Sequence, residues 1–197
     1  MNDCTLLITL FNRAKILKED ILSGFKFGLQ DKVIVDDNST KDMEELNIII
    51  KNRESLGIKD IIIHENNKGL AASRHTGFEN IKALNTIVLD DDDMLLCIDE
   101  NLMEKDYSRL KEDSVIVIPR YIVNLYENGQ LEIGYDRQLY NELEAKDVLK
   151  DITITSEVKA LLAGSISSTK ELLQCNPNST FIVSEDFMTL IRMFEIG

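Results

Sequence analysis

"TIVLDDDDMLL" (Thr86–Leu96) sets a β-branched apolar run directly against four consecutive aspartates. The run reads as a buried strand, so the acids fall at its carboxyl end. Four like charges there repel one another and lower local stability. Two explanations compete. Carboxylates one or two residues apart can converge on a hard cation such as Mg²⁺ or Mn²⁺ and leave ligand positions free for a diphosphate. Alternatively, the acids favour the start of a helix beginning near Met94. One helix cap explains one aspartate and not four.

Working outward from this stretch, apolar strands alternate with helix-compatible segments. "TLLITL" (Thr5–Leu10) reads as a strand, with a polar helical stretch from Asn12 to Leu22 behind it. "DKVIVDD" (Asp31–Asp37) is a second strand. "STKDMEELNIIIKNRE" follows as a helix, with Ser39 or Thr40 as its cap and Asp42, Glu44 and Glu45 in its first turn. In that helix Leu46, Ile48, Ile49 and Ile50 read as core residues. "KDIIIHEN" (Lys59–Asn66) is a third strand. Leu70, Phe78, Ile81 and Leu84 then recur at helical spacing, and "NTIVLD" is the fourth strand. Such alternation predicts parallel strands joined by right-handed crossovers and buried on both faces. Ligands of doubly wound sheets bind outside the carboxyl ends of the strands. Asp36–Asp37 and Asp90–Asp93 both stand at such ends.

The second half changes character. "SVIVIPRYIVNLYENGQLEIGY" is β-rich and carries the hairpin signal Asn128-Gly129. A helix-like "YNELEAKDVLK", the small-residue stretch "LLAGSISSTKELL" and "STFIVSEDFMTLIRMFEIG" follow. This half reads as α+β, forming a lid or acceptor wall on the same sheet. With no linker, repeat or low-complexity segment, residues 1–197 read as a single domain. Residues 1–95 form its ligand-binding half and 96–197 its acceptor side.

Net charge is −13, which argues against nucleic acid and anionic lipid as partners. An anionic ligand would need a metal ion, helix amino termini or a few placed arginines. Cys4, Cys97 and Cys175 are odd in number and widely spaced, which favours free thiols in a reducing cytoplasm. The two histidines are too few for a His-rich metal site. No signal peptide or membrane-spanning run is read.

Three further segments carry chemistry. In "VDDNST" (Val35–Thr40) a carboxylate can accept a hydrogen bond from a ligand N–H such as the imide of uracil; a plain strand–turn–helix connection is the competing reading. "ENNKGLAASRHTG" opens a helix whose amino terminus suits an anion, with Arg74 nearby; there Arg74 as a solvated surface charge is the competitor. "VSEDFMTLIRMF" places Glu185 and Asp186 at a helix start, as a general base or as plain first-turn acids. Arg192 reads as structural, and Phe187, Leu190, Ile191 and Phe194 as core packing.

In order, "TLFNR", "VDDNST", "NKGLAASRHTG", "LDDDD" and "EDFMTLIR" resemble the motifs of family 2 glycosyltransferases of the GT-A fold. Five motifs in the right order over nearly the whole chain are far more specific than any one of them. The resemblance implies an α/β GT-A fold and an inverting transfer from a nucleotide sugar, a UDP-sugar, to a hydroxyl of a glycan or lipid-linked acceptor. It implies that Thr9 and Phe11 line the uridine pocket, that Asp37 with Asp36 binds the uracil edge, and that Arg74 reaches the base or the diphosphate. Asp90 would hold the ribose side, with Asp91 beside it, and Asp92 would ligate Mn²⁺ or Mg²⁺ together with Asp90 and Asp93. Asp186 would be the general base, supported by Glu185.

The chain departs from the pattern at Leu10, where proline is usual, at His75, where asparagine is common, and at Asp91, where a small or neutral residue is usual. A Q-x-x-R-W motif is absent, which argues against a processive polysaccharide synthase. The implied location is cytoplasmic, with peripheral membrane association through the acceptor or a partner. Two rivals stay open: a haloacid-dehalogenase-like phosphohydrolase using Asp90–Asp93, and a catalytically inactive nucleotide-sugar-binding domain.

Overall fold

The computed structural model describes residues 3–26, 29–95, 116–117, 121–125, 131–136, 163–177 and 185–196. Strands β1 (Cys4–Leu10), β2 (Asp31–Asp36), β3 (Ile58–Ile63) and β4 (Asn85–Asp90) alternate with helices α1 (Ala14–Lys26), α2 (Met43–Lys51) and α3 (Leu70–Asn80). Short β5 (Ile116–Val117), the pair β6 (Tyr121–Leu125) and β7 (Leu131–Asp136), and β8 (Ile166–Ser168) follow, with helices α4 (Thr169–Cys175) and α5 (Glu185–Ile196). The main sheet has the order β3-β2-β1-β4-β8-β5. β1 to β4 are mutually parallel, and β8 runs antiparallel to both of its neighbours. The antiparallel β6–β7 pair agrees with the hairpin reading. Its Asn128-Gly129 turn and Cys97 lie outside the described residues.

Every residue of β1 is buried, as expected of a central strand covered on both faces. Strand alternation divides the core in two. Leu6, Ile8, Leu10, Ile34, Ile87 and Leu89 pack with Leu17, Ile21, Leu46 and Ile49 of α1 and α2. Leu7, Val33, Val35 and Val88 pack with Phe78 of α3, Leu172 of α4 and Leu190 and Met193 of α5. Gly77 lets α3 lie close on β1, since a Cβ there would fall 2.3 Å from Leu7 Cδ1. After β3 the chain crosses back to pair β4 with the far edge of β1. The topological switch point therefore lies between β1 and β4, where this architecture places its ligand crevice.

Several local expectations need correction. β3 is an edge strand with Ile63 half exposed, because only β2 pairs with it among the described residues. Ile48 is exposed while Leu46 and Ile49 are buried, because α2 rests on the sheet along one stripe. α3 ends at Asn80, which leaves Leu84 exposed. Neither Ser39 nor Thr40 caps α2; the cap position is Asp42, in left-handed backbone. On α5, Leu190 is buried and Ile191 partly so, while the side chains of Phe187 and Phe194 lie outside the described part.

Cys4 and Cys175 are free and buried. Burial pushes the Cys4 thiol up to about 12, so it is held as an unreactive thiol. Among the described residues no helix is long and apolar enough to cross a membrane.

Lys32 is fully buried and donates from Nζ to the Leu29 carbonyl at 3.1 Å. Burial, opposed by the charge of Asp31, lowers its pKa to about 8. The unfolded chain therefore holds more protons than the native state between about pH 8 and the ordinary lysine value, and stability rises with pH across that window. Denaturant unfolding at pH 7.5 and 10 is expected to show Lys32→Met more stable at the lower pH by about 1–3 kcal/mol. That advantage should shrink at the higher pH. An equal difference at both values would refute the assignment.

Candidate functional site

The carboxyl ends of β1, β2 and β4 bring together the loops 11–13, 37–42 and 91–95. Strand alternation decides what each acid does. Asp36 shares the parity of Ile34, on the α1–α2 face, and is 1% exposed. Its carboxylate accepts from the Ser39 amide and, through a short bond, from the Ser39 hydroxyl. Ser39 Oγ in turn accepts from the Asn12 amide at 2.8 Å. Asn12, at φ 63, accepts on Oδ1 from the Thr40 and Lys41 amides at 2.7 and 2.9 Å. Asparagine tolerates this left-handed backbone better than most residues. The β1–α1 and β2–α2 loops are thereby clipped together, and Ser39 serves this clip rather than the helix.

Asp37 turns to the α3 face. It accepts on Oδ1 from the Lys68 amide and His64 Nδ1, both at 2.8 Å, and on Oδ2 from the Gly69 amide at 2.8 Å. Asn67 Nδ2 donates to the Asp37 carbonyl at 3.3 Å. The N-x-G part of "NKGLAASRHTG" thus wraps around Asp37.

Asp90 and Asp91 separate in the same way. Asp90 pairs in register with Thr9 and accepts on Oδ1 from Arg74 Nη2 at 2.8 Å. Arg74 is wholly buried and Asp90 partly open to solvent. Thr9 is buried, and its hydroxyl has no hydrogen-bond partner among the described residues. Asp91 bridges the switch point, accepting from the Phe11 amide at 2.8 Å and from Arg13 Nη1 at 3.0 Å. The same Nη1 donates to Asp92 at 2.7 Å. Phe11 stays 46% exposed.

Burial pushes Asp91 up, opposed by the Phe11 amide and Arg13. Asp93 is pushed up to about 6 by desolvation and then by repulsion from Asp90, Asp92 and Asp91, with Arg74 opposing. Asp93 is exposed, and the crowding of like charges around it disfavours its ionised form.

The donor set suits a divalent cation. The four aspartates supply hard oxygen ligands, and Arg74 and Arg13 are the basic side chains bonded to them among the described residues. Asp92 Oδ1, Asp90 Oδ2 and both Asp93 oxygens make no bond to a described residue. Among the described residues no three acids form a closed cage. A site of one or two carboxylates completed by substrate phosphates is the usual arrangement for Mg²⁺.

Glu185 and Asp186 begin α5, and their side chains lie outside the described part. The helix itself is anchored. Arg192 Nη1 donates to the Cys175 carbonyl at 3.1 Å, which makes Arg192 structural. Thr189 meets Asn176, whose amide donates to the Ala71 carbonyl of α3 at 2.8 Å. His75 lies on α3 with Nε2 3.7 Å from Glu79, and its buried Nδ1 has no partner among the described residues.

Sequence reasoning assigned no role to Arg13, Asn12 or His64, and gave Ser39 a helix cap where the structure gives it the loop clip. For Asn12 a signal was available, an asparagine two residues past the end of a strand. For His64 none was, because its partners stand 27 and 12 residues away.

A model of glycosyl transferase family 2 matches residues 5–173. The chain belongs to this family. The GT-A fold is shared with solved structures of S. aureus TarS. TarS 1-349 in complex with UDP-GlcNAc gives a TM-score of 0.70 at 18% identity, over 97% of this chain and 53% of that one. TarS 1-349 alone gives 0.68 at 17%, over 97% and 55%. Longer TarS gives 0.68 at 16%, over 97% and 33%. The family 2 chain thus spans about half the length of the TarS 1-349 structures. Comparison with curated proteins finds no match. Membership of family 2 leaves the phosphohydrolase reading without support.

Proposed function

We propose that this family 2 domain is an inverting glycosyltransferase that moves a sugar from a UDP-sugar to a hydroxyl of a glycan or lipid-linked acceptor. The observation that supports the proposal is that Asp37 and Asp90 close the carboxyl ends of β2 and β4, the two strands flanking β1, with buried Arg74 paired to Asp90. Residues 1–95 supply the donor side and 96–197 the acceptor side.

Asp37 accepts the base N–H, with Thr9 and Phe11 beside it, while Asp36 holds the loop that carries Asp37. Asp90, fixed by Arg74, accepts from ribose hydroxyls. Asp92, with Asp90 and Asp93, would hold Mn²⁺ or Mg²⁺, and the bound cation would offset charge developing on the leaving diphosphate. Asp91 orients the Phe11 backbone and Arg13 rather than the cation. Asp186, with Glu185 beside it, takes the acceptor hydroxyl proton as the oxygen attacks the anomeric carbon. The bond from that carbon to the diphosphate oxygen breaks on the opposite face.

Calorimetric titration with a panel of nucleotide sugars, first with Mn²⁺ and then with EDTA, tests donor and metal together. UDP-GlcNAc, the ligand of the TarS complex, is the first to try. Binding of a UDP-sugar is expected, weakened at least tenfold by EDTA, as for a diphosphate held largely through a cation. No binding in either condition would overturn the proposal. Tight UDP binding without donor turnover over a broad acceptor panel would instead favour an inactive binding domain.

A further inference from the structure

Three donors converge on the Asp37 carboxylate, and two are backbone amides fixed by the loop into α3. The third is the ring of His64, which is itself buried. A carboxylate offers about four acceptor positions. Oδ1 takes two donors and Oδ2 one, so one position on Oδ2 remains. Because Asp37 accepts, His64 Nδ1 carries a proton, and Nε2 meets the Thr76 hydroxyl at 3.0 Å. Thr76 lies two residues beyond Arg74 on α3. One helix therefore fixes both acids of its face, Asp90 through Arg74 and Asp37 through His64.

We propose that His64 is a positioning residue of the donor-base pocket, its Nδ1–H holding Asp37 in the rotamer that leaves one Oδ2 acceptor position for the N–H of a pyrimidine imide. The inference rests on the UDP-sugar reading above and adds to it the group that orients the base-reading acid. Removing the imidazole takes away the side-chain donor that pins Oδ1. The two amides remain, so the fold persists while the carboxylate gains freedom to turn.

Two measurements on the full chain test this. The first is the ¹⁵N spectrum of the imidazoles, assigned with His75→Gln, since the chain has only two histidines. His64 is expected to carry a proton on Nδ1; a ring protonated on Nε2 alone would overturn the proposal. The second is UDP affinity in the presence of Mn²⁺. His64→Leu is expected to weaken UDP about tenfold or more. His64→Asn, whose amide N–H takes the place of Nδ1–H, should return to within about threefold of the parent. His64→Gln places its amide near Nε2 instead and should stay weak, so the Asn–Gln contrast remains readable if the leucine variant fails to fold. Equal UDP affinity in the parent and His64→Leu, or in folded His64→Asn and His64→Gln, would overturn the proposal. Absence of UDP binding by the parent chain would overturn the nucleotide reading and the pocket assigned to it. The tautomer measurement separately decides whether His64 orients Asp37.

Discussion

Asp186→Asn is expected to lower sugar transfer by about 10²–10⁴-fold, the contribution of a positioned general base, while UDP affinity stays unchanged. The separation of the two effects follows from the architecture. Asp37 and Asp90 stand at the ends of β2 and β4, whereas Asp186 opens α5. α5 is held through Arg192 to the end of α4 and through Asn176 to α3, the helix that carries Arg74. Asparagine keeps the size of the side chain and loses its capacity to take a proton. The measurement is turnover with a competent acceptor beside a UDP titration. Near-parental turnover would remove Asp186 from its role, and a parallel loss of UDP binding would point to a structural one.

Asp90→Ala is expected to lose both stability and donor binding. Arg74 is fully buried, and its Nη2 bond to Asp90 at 2.8 Å is an ion pair at the center of the site. Removing one member of a buried pair leaves the other charge short of compensation, at a cost of about 3–5 kcal/mol. Asp90 is partly open to solvent and water can enter in its place, so about 2–3 kcal/mol is the figure to expect. Denaturant unfolding should show this loss. The double variant Arg74→Leu/Asp90→Ala should be less damaged than the sum of the two single changes, because their cost is shared. Strict additivity would mean that the pair does not hold the site.

The parallel α/β order was legible because strands and helices write different periods into the chain, and β1, β2 and β4 differ from their sequence bounds by a residue at most. The acidic strand ends were legible too, since an aspartate run after a β-branched run is a local pattern. The side each acid faces was not. Asp36 and Asp37 are neighbours in sequence, yet one is taken up by Ser39 and the other by the loop into α3. Asp90 and Asp91 divide between Arg74 and the Phe11–Arg13 loop in the same manner. The cap of α2 was misread for a related reason: Ser39 had a stronger partner in Asp36 than the helix could offer. Ile48 and Leu84 look apolar and periodic, but Ile48 lies off the stripe that meets the sheet and Leu84 falls beyond the end of α3.

By itself the sequence determined the class of fold, the end of the sheet where the acidic residues gather and the family to which the chain belongs, because strand pattern and ordered motifs are properties of consecutive residues. Tertiary structure alone decided the β3-β2-β1-β4 order, the division of each aspartate pair between two faces, and the burial of Arg74 and His64 behind Asp90 and Asp37. Those outcomes depend on which distant segments pack together, and a hydrogen bond between residues 27 positions apart leaves no trace in local spacing.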